Sequence, residues 1–382
     1  MNNINNEFNP YQMCTRCVMD TTDPDIVFDE NGVCNHCTNA IKRLIQPPYG
    51  LPTKKKEVAL NQLIENVKAA GKGKKYDCII GLSGGVDSSY VAYLVKQWGL
   101  RPLAIHMDNG WNTNEGAQNI ENICKILDID LYTNVLEREE FKDLQLAFLK
   151  ASTPDSEIPT DNIVCETLFR TANKYGVKFI LSGRNITSES IMPKAWSQGY
   201  WDKKYITAVY RQYGKKKKLS IPIISYYQVV LYYIKKIKWV DTLDYIQYDK
   251  EQAKEYSKQH LNWQDYGRKH GESIYTRIFQ EYILPHKFGF DKRRAHFSSL
   301  IAANQLSRHD ALEMLKQPLY VNQKDLENDI SFFCKQFGIT KNDFDKIMTL
   351  PIKSINDYPN ENKTFRYKLF QLAKCLYKKY II

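Results

Sequence analysis

Ser83-Gly84-Gly85-Val86-Asp87-Ser88-Ser89, set directly behind the apolar run Cys78-Ile79-Ile80-Gly81-Leu82, decides the reading of this chain. A strand that ends in paired glycines and opens a helix lets backbone N–H groups close on an oxyanion, and the helix N-terminus adds the positive end of its dipole. The run differs from a Walker loop, because no lysine follows the glycines and Asp87 stands where a cation would otherwise be. It predicts a phosphate-holding turn in which Ser83, Ser88 and Ser89 offer hydroxyls and the backbone amides from Ser83 to Ser88, those of Gly84, Gly85 and Val86 among them, face the ligand.

Outward from this turn, the pattern predicts helices over 86–98, about 115–128 and 162–175, and strands over 102–107, 129–135 and 177–181. A fifth strand is expected over 243–246, followed by a helix over 250–259 capped by Asp249. Short apolar runs alternating with helices read as α/β, a parallel sheet covered on both faces with ligands at the carboxyl ends of its strands. The second run ends in His106-Met107-Asp108-Asn109-Gly110-Trp111, beside the phosphate turn. Asp108 and Asn109 are therefore candidates for nucleotide contact, while His106 reads first as a satisfied core histidine. A second glycine loop, Gly183-Arg184-Asn185, follows the fourth strand, so Gly183 and Asn185 would face the same cleft and Glu189 a substrate within it.

Cys14-x-x-Cys17 and Cys34-x-x-Cys37, sixteen residues apart, have the spacing of a zinc ribbon in which two knuckles present four thiolates to one ion. Asn31-Gly32 would turn the chain back between them. Four thiolates leave no open coordination position, so Zn²⁺ here reads as structural; an iron–sulfur cluster is the competing reading and His36 a bystander. The expected organisation is a zinc-ribbon module and linker over 1–50, an ATP-binding α/β domain over 51–262 and a mainly helical substrate or partner region over 263–382, with Ser307 and Thr340 as helix N-caps.

The 382 residues, 43% hydrophobic, suffice for two domains with a substantial core. The net charge of +11 would suit a polyanion such as RNA or an acidic membrane surface, yet a lysine-rich composition from biased codon usage explains it equally, and nucleic acid is not the expected partner. Met1 to Asn9 is polar with no apolar signal core behind it, and the five cysteines outside the knuckles are scattered, so a cytoplasmic protein is expected. The segment 221–240, apolar and aromatic with lysines at its end, is too short to span a bilayer; it reads as a buried helix or partner surface, with peripheral contact at the inner membrane as the alternative.

The run over 83–89 resembles the PP-loop of ATP pyrophosphatases, which cleave ATP between the α and β phosphates and load AMP onto a carbonyl oxygen. The segments CTRCVMDTTDPDIVFDENGVCNHC (14–37), TDNIVCETLF (160–169), ILSGRNITSESIMPKAW (180–196) and the run from WQDYGRKHGES (263–273) to ALEML (311–315) are similar to the N-acetyl sugar amidotransferase family of surface-polysaccharide biosynthesis. Arg268, where a second glycine is expected, and the stretch 200–239 depart from that pattern. The resemblance implies that the acetamido oxygen of an N-acetylated sugar, nucleotide-linked in the expected case, is adenylated with ATP and Mg²⁺ and replaced by ammonia to give an acetamidino group.

In-line attack on the α phosphate calls for positioning and charge neutralisation more than for acid–base groups. Asp87 would orient the turn or hold Mg²⁺, with Ser83 at the pyrophosphate. Basic groups for a substrate diphosphate would come from Lys269 and His270, beside Glu272, and from Lys287, Lys292 and Arg293. None of the nine cysteines stands at position 2 or on a glycine-flanked elbow, so a separate glutaminase subunit, as in the histidine pathway, is expected to supply ammonia. Two other readings stand beside this one: a tRNA sulfur transferase, for which Cys165 would be the sulfur-handling residue, and a zinc-ribbon RNA-binding module without enzymatic activity.

Overall fold

The computed structural model describes residues 10–197, 199–267, 271–362, 364, 365 and 367–369. Lys269 and His270 lie outside the described residues. Two helices, α1 (Asn35–Leu44) and the longer α2 (Thr53–Gly71), precede the first strand. The central unit runs β1 (Cys78–Gly81), α3 (Val86–Gln97), β2 (Pro102–Asp108), α4 (Asn114–Leu127), β3 (Asp130–Val135), α5 (Arg138–Ala151), α6 (Ile158–Lys174), β4 (Phe179–Ser182) and the single turn α7 (Ile186–Glu189). It continues through α8 (Lys203–Tyr213), α9 (Tyr226–Ile234), β5 (Lys238–Asp241) and α10 (Lys250–Leu261). The C-terminal part is helical: α11 (Ile274–Ile278), a wider-wound segment over Phe279–Phe288, α12 (Arg293–Ala302), α13 (Arg308–Lys316), α14 (Gln323–Phe337) and α15 (Lys341–Thr349).

Among the described residues the strands form one parallel sheet in the order β3-β2-β1-β4-β5. Side chains alternate between its faces. Cys78, Ile80, Ala104, Phe179 and Leu181 pack with α2, α3, α4 and α10, while Ile79, Leu103, Ile105 and Ile180 pack with α6 and α9. Burial on both faces is why the strands read as continuous apolar runs. The fifth strand is Lys238–Asp241, paired with Phe179–Ser182, and not 243–246. Leu243, fully buried, instead sits in a 3₁₀ turn over Thr242–Tyr245 that caps the edge of the sheet. The helix expected over 162–175 begins a turn earlier, at Ile158 with Pro159 behind it, a position where the missing N–H costs nothing.

The segment 221–240 is no single helix. It divides into α9 and β5; Tyr226 and Val229 are buried, whereas Leu231 and Ile234 are exposed. No helix among the described residues is long and apolar enough to cross a membrane.

Two contacts hold the C-terminal helices onto the carboxyl edge of the sheet. Trp111, just beyond β2, is 1% exposed and packs at tilted angles with its ring 5.1–5.6 Å from those of Tyr275, Phe333 and Phe337, its Nε1 donating to Gln145 Oε1 at 2.7 Å. An aromatic of this size buries about 150–250 Å², worth roughly 4–6 kcal/mol at about 25 cal/mol/Å². The chain after β2 also pairs with the chain before α11: Thr113 N–H donates to Glu272 O at 2.8 Å and Ile274 N–H to Trp111 O at 3.0 Å.

Candidate active site

The turn after β1 has the form its glycines predict. Gly84 has φ +84°, and a Cβ there would stand 2.4 Å from the carbonyl oxygen of Gly116, so only glycine fits. Gly85 is the N-cap of α3. The amides of Val86, Asp87 and Ser88 are in the first helical turn, where no intrahelical acceptor exists, and they face the turn with the positive end of the dipole. The serines, by contrast, shape the loop. Ser83 Oγ accepts from Gly85 N–H at 3.2 Å, Ser88 Oγ donates to Gly85 O at 3.0 Å, and Ser89 Oγ donates to the same carbonyl at 2.8 Å. A phosphate would thus be held by backbone donors, with the hydroxyls fixing their direction.

Three long-range contacts brace this loop from segments that no local pattern connects to it. Trp263 Nε1 donates to Gly84 O at 2.8 Å, and Asn119, fully buried, donates to the same oxygen at 3.3 Å and to Gln264 O at 2.9 Å. Tyr248 donates its hydroxyl to Asp87 Oδ1. Glu272 lies over the glycines: a Cβ on Gly85 would stand 3.3 Å from Glu272 Oε1 and 3.2 Å from Tyr266 Oη, which is itself hydrogen-bonded to Glu272. Burial, then the Glu272 and Asp87 carboxylates, drives the Tyr266 phenol far above its ordinary range, so it stays a donor. Tyr248 escapes a reading of the sequence by motif, and Trp263 and Tyr266 carry a signal only as part of the segment 263–273 that resembles the amidotransferase family.

The second loop, after β4, closes against the first. A Cβ on Gly183 would stand 3.0 Å from Asp87 C and from Ser88 N. Asn185 is 3% exposed and its Oδ1 is spent as the cap of α7, accepting from Ser188 N–H, Ser188 Oγ and Thr187 Oγ1 at 2.7–2.9 Å. Glu189 lies 3.9 Å from Arg184 Nε. Asp108 and Asn109 end β2 at the same edge and turn inward, accepting from Gly110 N–H at 2.9 Å and Trp111 N–H at 3.2 Å. His106 uses both ring nitrogens, on Leu82 O at 3.1 Å and Asn112 Nδ2 at 2.9 Å, and burial lowers its pKa; it is the satisfied core histidine expected.

The basic residues separate. Lys292 reaches Glu157 Oε2 at 3.4 Å, at the start of α6. Because α6 leads directly into β4, it runs antiparallel to the strands and its N-terminus lies at their carboxyl edge. Asp161, one turn on, keeps an exposed side chain although its carboxyl is pushed up to about 8, foremost by burial and then by Asp155 and Glu157, against Lys292 and Arg184. Arg293 faces elsewhere. It forks onto Asp291 at 2.8–3.2 Å and onto the carbonyls of Met314, Leu315 and Gln317. Lys287 donates to Ile347 O beneath α15, and burial lowers its amine to about 8.

The four knuckle cysteines are buried and close together, all Sγ atoms within 4.8 Å, and no disulfide joins described cysteines. Cys14–Cys37 and Cys17–Cys34 are each 3.8 Å apart. Sulfurs about 2.3 Å from one tetrahedral ion stand about 3.8 Å apart, so the donor set and spacing fit a single metal ion. Gly32, with φ +74°, makes the turn between the knuckles, and His36 bonds Asp23 at 2.6 Å instead of joining the sulfurs. This module is clamped onto the C-terminal helices: Arg308 donates to Cys17 O at 2.9 Å and Cys14 O at 3.0 Å, and Arg294 pairs with Asp20 at 3.0 Å. Through α1 it also reaches the second loop, where Arg43 Nη1 donates to Ser190 O at 2.8 Å.

Two family models match this chain. Residues 272–374 match the LPS biosynthesis protein WbpG-like, C-terminal domain, and residues 76–194 match the tRNA methyl transferase HUP domain. An uncharacterised protein of Methanocaldococcus jannaschii is 27% identical over 175 residues, 45% of this chain and 59% of that protein. The tRNA-specific 2-thiouridylase MnmA 2 of Fusobacterium nucleatum is 28% identical over 119 residues, 29% of this chain and 34% of the enzyme. The chain thus spans well under two thirds of these relatives. Among solved structures, the NMN synthetase of Francisella tularensis aligns at 15% identity with a TM-score of 0.30, covering 79% of this chain and 98% of that one. The NH3-dependent NAD synthetase of Campylobacter jejuni aligns at 17% identity and a TM-score of 0.29, covering 42% and 73%. The PP-loop (HUP) match carries both glycine loops, and the WbpG-like match begins at Glu272.

Proposed function

We propose that this protein is an ATP-dependent, AMP-forming amidotransferase that converts the acetamido group of an N-acetylated sugar, nucleotide-linked in the favoured case, to an acetamidino group in surface-polysaccharide synthesis. The observation that carries the reading is the meeting of the two matched regions at one point: Glu272, the first residue of the WbpG-like part, lies over the glycines of the phosphate turn. An amide carbon is a poor electrophile and its oxygen a poor leaving group. Adenylation turns that oxygen into part of a phosphate ester, and ammonia then displaces AMP. The first-turn amides of α3 would hold the polyphosphate, and the pair Asp87 and Glu272 border it with negative charge. Nucleotide phosphates would enter between two carboxylates only with a cation, so Asp87 and Glu272 are the residues that would hold Mg²⁺. When bound, Mg²⁺ neutralises the departing pyrophosphate.

At the four cysteines we propose structural Zn²⁺, and for ammonia a separate glutaminase subunit. The exposed Leu231 and Ile234 of α9 are the residues through which peripheral membrane contact would be made. The thiouridylase relatives favour tRNA thiolation as the second reading. Against it, burial pushes the Cys165 thiol up to about 12, far from a sulfur-carrying thiolate. The test is to incubate the protein with ATP, Mg²⁺, ammonium and a panel of nucleotide-linked N-acetyl sugars. AMP, pyrophosphate and a product about one dalton lighter than the acceptor are expected, from exchange of O for NH; ADP and orthophosphate, or AMP release that depends on tRNA, would overturn the reading.

A further inference from the structure

Asp87 is the second residue of α3, beside the amides that would hold phosphate. A free carboxylate at that place is drawn to those same first-turn N–H groups, by the helix dipole and by short-range capping geometry, and would compete with an incoming anion. Tyr248 engages this carboxylate. It sits in the loop between the 3₁₀ turn and α10, 2% exposed, and its hydroxyl donates to Asp87 Oδ1. The ring packs 6.0 Å from that of Tyr90, and the Tyr248 carbonyl accepts from Gln305 Nε2 at 2.7 Å. Gln305 belongs to the WbpG-like region, so the tyrosine is anchored from the opposite half of the molecule.

We propose that Tyr248 is a positioning residue that holds Asp87 away from the phosphate-binding amides, so that its carboxylate would be available to a cation. The inference rests on the ATP reading of the 83–89 turn. Tyr248→Phe keeps the ring and removes only the hydroxyl. Binding of α,β-methylene-ATP would be measured by calorimetry at several Mg²⁺ concentrations, with Mn²⁺ binding followed by electron paramagnetic resonance. In the variant, the nucleotide Kd and the half-saturating metal concentration are each expected to rise roughly tenfold or more, as loss of a hydrogen bond to a charged group implies. In an Asp87→Asn background the same substitution is expected to change Kd by less than about twofold, because the competing charge is gone. Gln305→Ala, which frees only the main-chain anchor, is expected to shift Kd in the same direction by a smaller factor. If the unaltered protein binds no nucleotide, the ATP reading falls and this inference with it. If the unaltered protein binds and Tyr248→Phe binds equally well, the ATP reading stands and the inference is overturned.

Discussion

The two glycine loops, one after β1 and one after β4, look alike in sequence and do different things. In the first, glycine side-chain space is taken by the Gly116 carbonyl and by Glu272 and Tyr266, and the helix-opening amides are left facing outward. In the second, Gly183 is small because the backbone of Asp87 and Ser88 lies against it, and Asn185 spends its oxygen on its own helix turn. The first loop leaves helix-opening amides that an anion could use, and the second lies against it with its own polar groups satisfied. A glycine after a strand acquires meaning from what its missing Cβ would touch.

The largest expected effect would separate the loops by their supports. The four-cysteine module reaches the second loop through Arg43 and Ser190, and α12 reaches it through Ser299 Oγ, which accepts from Ile191 N–H at 2.9 Å. Stripping the metal with a chelator should unfold the module and lower stability by several kcal/mol. Amide hydrogen exchange should then rise at 185–191 and stay unchanged at 83–89; an equal rise in both would erase the distinction. Next comes the glycine pair itself. Gly84→Ala should cut AMP release by about 10²-fold or more, since it displaces the amide donors, whereas Gly183→Ala, meeting atoms at 3.0 Å that need shift only slightly, should cost about tenfold.

Asn185→Ala should lower stability by about 1 kcal/mol in urea unfolding, the ordinary cost of a lost N-cap, while leaving nucleotide Kd near its native value. A large loss of affinity would make the second loop a binding element after all. The smallest effect concerns Asp161, whose exposed side chain is screened by solvent. Burial, and then the Asp155 and Glu157 charges, pushes its carboxyl up to about 8 from the ordinary carboxylate range near 3.9. The native state therefore binds the extra proton across that window, and stability contributed below about pH 4 is lost as pH rises through about 8. Asp161→Asn should remove this decline, so that its melting temperature exceeds that of the unaltered protein at pH 8 and the gap closes toward pH 5.

Much of the scaffold was legible because its causes are local. Apolar runs at 78–82, 102–107 and 177–181 became β1, β2 and β4, and Asp249, Ser307 and Thr340 cap helices as their spacing predicts. The misplaced fifth strand shows the limit: 243–246 is as apolar as a strand, but pairing with Phe179–Ser182 selected the neighbouring Lys238–Asp241. The basic block from Lys287 to His296 was harder still. Three neighbours in sequence went three ways, Lys292 to the α6 carboxylates, Arg293 to Asp291, and Arg294 to Asp20 of the cysteine module.

By itself the sequence determined the turns, caps, metal-ligand spacing and alternation of strand and helix, since each depends on backbone geometry within a few residues. Only the tertiary structure decided which distant side chains surround the phosphate turn. Tyr248 on Asp87, Trp263 on Gly84 and Glu272 over Gly85 are partners more than 150 residues apart, brought together by burial of two sheet faces and an aromatic nest that no local pattern encodes.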